Sequence, residues 1–103
     1  MAEWVRLCAV AESPVPGHVL EAEVQGVAIC LANIDGRLAA VDNWCPHRRG
    51  PLGQGWIEGE AVVCPWHSWA FDLTTGEALP PDRGQVDVFP LRVEDEDLLV
   101  DLA

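Results

Sequence analysis

The chain has 103 residues, half of them hydrophobic, and a formal net charge of −11 at pH 7, with no lysine anywhere. That length suits one domain with one modest core, and that hydrophobic content excludes a disordered composition. The acidity argues against nucleic acid or an anionic membrane as a partner. It points instead to a partner with a basic docking patch, or to plain solubility. No apolar run approaches membrane-spanning length, and the opening MAEWVRL lacks a basic region followed by an apolar one. The expectation is a protein of the cytoplasm, with residues 1–103 forming a single domain.

Trp4–Cys8 reads as a first strand, with Trp4 and Arg6 alternating against Val5 and Leu7. Ser13–Gly17 carries two prolines and reads as a connector. His18 opens the next strand as an exposed imidazole. Leu20, Ala22 and Val24 then alternate with Glu21 and Glu23, the pattern of a half-buried strand. Gln25-Gly26 signals a hairpin turn, and Val27–Leu31 reads as a buried strand. Asp35-Gly36 is the stronger turn signal, and Arg37–Val41 returns beside it. Together these segments predict an antiparallel meander.

Trp56–Glu58 and Ala61–Val63 read as a short hairpin. Ala70–Leu73 is a further strand, and Thr74–Glu77 a turn. Leu79–Gln85 is polar, proline-rich and without pattern. Val86–Val93 and Leu98–Leu102 close the chain as strands around an acidic turn, Glu94–Asp97. Cys8 and Cys30 lie inside apolar runs and read as small buried thiols rather than a disulfide. No internal repeat and no convincing amphipathic helix are visible. The fold class is all-β: short antiparallel strands, with two long loops, about 43–55 and 63–72, gathered at one end.

Those loops hold the chemistry. The first reads Cys45-Pro46-His47. Sixteen residues later the second reads Cys64-Pro65-Trp66-His67. Two thiolates and two imidazoles can bind a metal centre. A structural zinc ion could use the same donors, but Cys45-x-His47 is tight spacing for one tetrahedral ion. Pro46 and Pro65 stiffen the loops, and Gly50 allows close backbone approach to a sulfur. Trp44, Trp66 and Trp69 flank the ligand pairs. Trp44 and Trp69 read as packing aromatics, and Trp66 as either packing or part of a docking face.

The segments CPHRRGPLG and CPWHSWAFD, with TTGE following at Thr74–Glu77, resemble Rieske 2Fe–2S proteins. The resemblance implies an antiparallel sandwich with a two-loop cluster-binding subdomain. It implies one 2Fe–2S cluster, with Cys45 and Cys64 on the buried iron and His47 and His67 on the outer one. Two thiolates make the oxidised site neutral, which eases reduction relative to all-cysteine clusters. The resemblance also implies a proline-bearing segment beside the cluster, for which Leu79–Gln85 is the candidate. Respiratory-chain members carry an extra cysteine in each loop. Gly50 and Trp66 stand at those positions, so that disulfide cannot form. Their Ser and Tyr donors are matched by Trp69 and Phe71, and Ser68 carries a hydroxyl one position early; if Ser68 faces away, the potential lies near the low end of the class, roughly −150 mV.

The implied function is a soluble one-electron carrier, without catalysis of its own, between a flavin-dependent reductase and a terminal oxygenase. One alternative is the small subunit of an assimilatory nitrite reductase, bound to a larger reductase subunit. Another, from a different class, is a zinc-stabilised interaction module.

Overall fold

The computed structural model describes residues 2–46, 48–66 and 68–103. The strands, in chain order, are β1 (Trp4–Ala9), β2 (Val19–Val24), β3 (Val27–Ile34), β4 (Arg37–Asp42) and β5 (Trp56–Glu58). β6 (Ala61–Val63), β7 (Ala70–Asp72), β8 (Val88–Phe89), β9 (Leu91–Glu94) and β10 (Asp97–Asp101) follow. They form three antiparallel sheets, in the orders β1-β10-β9, β2-β3-β4-β8 and β5-β6-β7. No α-helix occurs among the described residues, so none is long and apolar enough to cross a membrane.

The expected meander is β2-β3-β4. Gln25 and Gly26 have φ of 52° and 80°, and Asp35 and Gly36 have 51° and 100°. Two consecutive positive dihedrals are what a type I′ hairpin turn requires. The register follows, with Val24 opposite Val27 and Ile34 opposite Arg37.

β3 is apolar nearly throughout because both its faces are covered. Ile29 and Leu31 point into one core with Ala40, Leu98 and Val100, under the β1-β10-β9 sheet. Cys30, Ala32 and Ile34 point into the other, with Val41, Leu52, Val62, Phe71 and Leu73. The meander is thus the middle layer, and its second face carries the loop end of the molecule. Each fully buried Leu or Ile contributes about 1.5–3 kcal/mol.

β3 runs three residues beyond the expected Leu31. The polar Asn33 does not end it, because its side chain is satisfied where it lies. Asn33 Nδ2 donates to the Pro14 carbonyl at 2.9 Å, and its Oδ1 accepts the Gly36 amide at 2.7 Å. A larger correction concerns Val86–Val93, which is two short strands rather than one. β8 pairs with β4, whereas β9 pairs with β10. Pro90 lies between them and has no N–H to continue a ladder, so the chain changes sheets there. The Pro90 carbonyl still accepts the Asp101 amide at 3.0 Å.

The two ends of the chain meet on one sheet. Trp4 lies opposite Asp101, and the Leu102 amide donates to the Glu3 carbonyl at 3.0 Å. Cys8 and Cys30 are both free thiols. They belong to different cores. Burial pushes the Cys30 thiol up to about 12.

Candidate metal centre

The first loop leaves β4 through a buried hub, Asn43. Its amide donates to Ala28, and its carbonyl accepts the Leu52 amide at 2.7 Å. Its Oδ1 accepts the Gly53 amide at 2.8 Å, and its Nδ2 donates to Glu21 Oε2 at 2.7 Å. Hydrogen bonds from Gln54 and then Asn43 hold the Glu21 carboxyl below its ordinary pKa. Asn43 therefore ties both sides of the loop to β2 and β3. Asn43→Ala is expected to lower unfolding free energy by about 2–3 kcal/mol, since buried donors and acceptors would lose partners. Denaturant midpoints with an unchanged slope measure this. A loss below about 0.5 kcal/mol would contradict the hub.

The two loops share one construction. The Cys45 amide donates to the carbonyl of Gly50 at 2.9 Å, and the Cys64 amide donates to that of Trp69 at 2.7 Å. Each bond closes the loop onto the residue five positions ahead. The fourth residue after each cysteine is left-handed: Arg49 has φ of 57° and Ser68 of 59°. The prolines after each cysteine leave no competing N–H at that step. The first loop ends in a bridge between Trp44 and Pro51 and a 3-10 turn at Leu52–Gln54.

This construction turns both cysteines inward, and each is about 1% exposed. They face one another. Burial raises the Cys64 thiol above its ordinary pKa, the Trp66 amide lowers it at 3.4 Å, and Cys45 raises it as a neighbouring charge and hydrogen-bond partner. Both thiols are free. The Gly50 backbone presses on the same sulfur, since a Cβ there would lie 2.4 Å from Cys64 Sγ. Two buried thiols from separate loops, with a backbone cradle and an N–H aimed at sulfur, fit an iron–sulfur cluster. His47 and His67 lie outside the described residues.

Other expectations are met by position. Trp44 and Trp69 are half-buried, and Trp69 packs against the core beneath the cysteines. Trp66 is 50% exposed. Leu79–Gln85 is tied down rather than free. Leu79 N–H donates to Ala70, Asp82 Oδ2 accepts the Ala70 amide, and Ala78 N–H donates to Gly84. Gly84 comes up against Pro46 of the first loop, where a Cβ added at Gly84 would lie 3.4 Å from Pro46 Cγ. Asn43 is the residue that sequence reasoning missed. An Asn after a strand reads as a turn residue, and nothing local marks it as buried.

Comparison with known proteins agrees with this geometry. The Rieske [2Fe-2S] domain family matches residues 3–90. The ferredoxin component of the naphthalene 1,2-dioxygenase system of Pseudomonas aeruginosa is 32% identical, over 98% of this chain and 97% of its own. Among solved structures, the Sphingomonas yanoikuyae B1 ferredoxin superposes with a TM-score of 0.87 at 29% identity, covering 98% of this chain and all of its own. A Mycobacterium tuberculosis protein assigned as an NADH-dependent nitrite reductase small subunit gives 0.88 at 25% identity, over 100% and 97%. With its paired cysteine loops on a three-sheet antiparallel scaffold, the chain belongs to the Rieske [2Fe–2S] domain family, whose cofactor is one 2Fe–2S cluster and not zinc.

Proposed function

We propose that this chain is a soluble, cytoplasmic one-electron carrier that receives electrons from a flavin-dependent reductase and delivers them to a terminal oxygenase. The observation that carries the reading is the end-to-end likeness to a ferredoxin component of a dioxygenase system. In this reading Cys45 and Cys64 hold the buried iron, and His47 and His67 the outer one. The bound cluster supplies a site that takes and releases one electron. The protein's own part is to keep water from the sulfurs, through buried Cys45, Leu52, Cys64 and Phe71, and to fix both loops rigidly. The net charge of −11 supports a partner that is basic overall. A second reading, a subunit of a nitrite reductase, draws on the fold shared with the small-subunit structure. Stable co-purification with a large reductase subunit would favour it.

The test is the reduction potential of the brown holoprotein. Phe71 is fully buried and has no donor. Ser68 is exposed, and its hydroxyl makes no hydrogen bond among the described residues. In this reading the exposed Ser68 hydroxyl is turned away from the cluster, so the midpoint is expected near roughly −150 mV and Ser68→Ala should leave it unchanged. Protein-film voltammetry at neutral pH measures both. A midpoint clearly above 0 mV, or a colourless iron-free protein, overturns the reading.

A further inference from the structure

Glu21 lies on β2, which carries no proposed ligand, yet its side chain reaches both arms of the first ligand loop. Its Oε2 accepts Asn43 Nδ2 at 2.7 Å on the outgoing arm, and its Oε1 accepts Gln54 Nε2 at 3.0 Å on the returning arm. Cys45 lies two residues beyond Asn43. Gly50, whose backbone presses on Cys64 Sγ, lies four residues before Gln54. The two bonds therefore bracket the segment that holds one cysteine and cradles the other.

The contact is close as well as polar. A Cβ at Gly53 would lie 2.4 Å from Glu21 Cγ and 2.9 Å from the Glu21 nitrogen, so the returning arm packs directly on β2. Asn43 is 1% exposed, so Glu21 Oε2 is the partner of a buried donor. The bonds from Gln54 and Asn43 hold the carboxyl below its ordinary pKa, and it is ionised at neutral pH. Hydrogen bonds to an ionised acceptor are about twice as strong as neutral ones. An ionised carboxylate also offers an acceptor oxygen to each of the two amide donors, which a neutral carboxyl or an amide cannot do. Glu23, two residues further along β2, makes no hydrogen bond or ion pair among the described residues.

We propose that Glu21 is a positioning residue for the cluster: its carboxylate clamps the two arms of the first ligand loop and so sets the placement of Cys45 against Cys64. The inference rests on the assignment of those two cysteines as ligands. Glu21 acts through Asn43, Gly53 and Gln54. Its effect is on how firmly, and in what shape, the site holds its iron.

The test compares E21Q, Q54E, the exchange E21Q/Q54E and, as control, E23Q, each as the loaded holoprotein. E21Q keeps the size of the side chain but replaces one acceptor by a donor, so one amide N–H group faces another. Q54E sets two carboxylates against each other. The exchange restores one donor and one acceptor across the gap, leaves an oxygen for Asn43 and keeps the wild-type net charge. Iron release to a mild chelator is expected to be about tenfold faster in E21Q and in Q54E, and within about twofold of wild type in the exchange and in E23Q. Visible circular dichroism of the loaded cluster separates positioning from general stability, because it reads the shape of the site before any iron leaves. It should change in E21Q, return in the exchange and stay unaltered in E23Q. Equal release from E21Q and E23Q, an exchange no better than E21Q, or unaltered dichroism in E21Q would sink the proposal. Should E21Q load no cluster, the exchange decides: full loading supports the proposal, and none overturns it. A wild-type protein without iron–sulfur absorbance would instead overturn the ligand assignment on which it rests.

Discussion

Cys45→Ser and Cys64→Ser are each expected to give a colourless protein with little bound iron that keeps its sheets. Both thiols are buried and lie side by side, so neither has a nearby substitute. Serine offers a hard, protonated oxygen where soft thiolate is needed. The buried hydroxyl costs about 1–3 kcal/mol more. The sheets persist because β3 packs on both faces, and one of those cores contains neither cysteine. Iron analysis and the visible spectrum read the first effect, and hydrogen exchange reads the second. Exchange should rise in the two loops and stay slow in β3 and β10. Full iron content in either variant would refute the ligand assignment, and uniform exchange would refute the independence of the sheets.

Gly50→Ala should be nearly as severe while leaving all four proposed ligands in place. The added Cβ would meet Cys64 Sγ at 2.4 Å and two Trp66 side-chain atoms at 3.3 Å. The sulfur sits on a short side chain whose own amide is fixed to Trp69, so it cannot swing away cheaply. Loop one must then lift off loop two, separating the thiols that share the site. The expected result is at least about a tenfold loss of iron retained under mild chelation, since groups behind a metal site matter on that scale. Ser68→Ala, at an exposed position of the second loop, serves as control and should retain iron. Equal retention by the two variants would show that the cradle is dispensable.

Much of this was legible because local rules and global packing agree. The alternation in β2, the Asp35-Gly36 turn and the doubly apolar β3 each need only neighbouring residues to interpret. The convergence of the two cysteine loops was legible from spacing and residue type alone, whereas His47 and His67 lie outside the described residues. What escaped depends on partners far away in sequence. Asn33 passes through a strand because Pro14 accepts its amide. Asn43 becomes a hub because Glu21, Ala28, Leu52 and Gly53 converge on it. The break at Pro90 was locally signalled, but the two partner strands it separates, β4 and β10, are set by topology. The matching closure of the two loops also escaped, since neither Arg49 nor Ser68 is a residue type that announces a left-handed backbone.

The pairing of β1 with β10 has a consequence for how such a unit can be carried. A chain that enters at Glu3 leaves at Leu102, one hydrogen bond away. Splicing this sequence into a surface loop of another protein would therefore open the host by only about one strand spacing, some 5 Å. The loop-closure entropy of such a graft is small. Its strands would keep every partner, and the electron-carrying end would project without being threaded through its host. A fold that enters and exits by one doorway is a cassette, as usable within a longer polypeptide as alone.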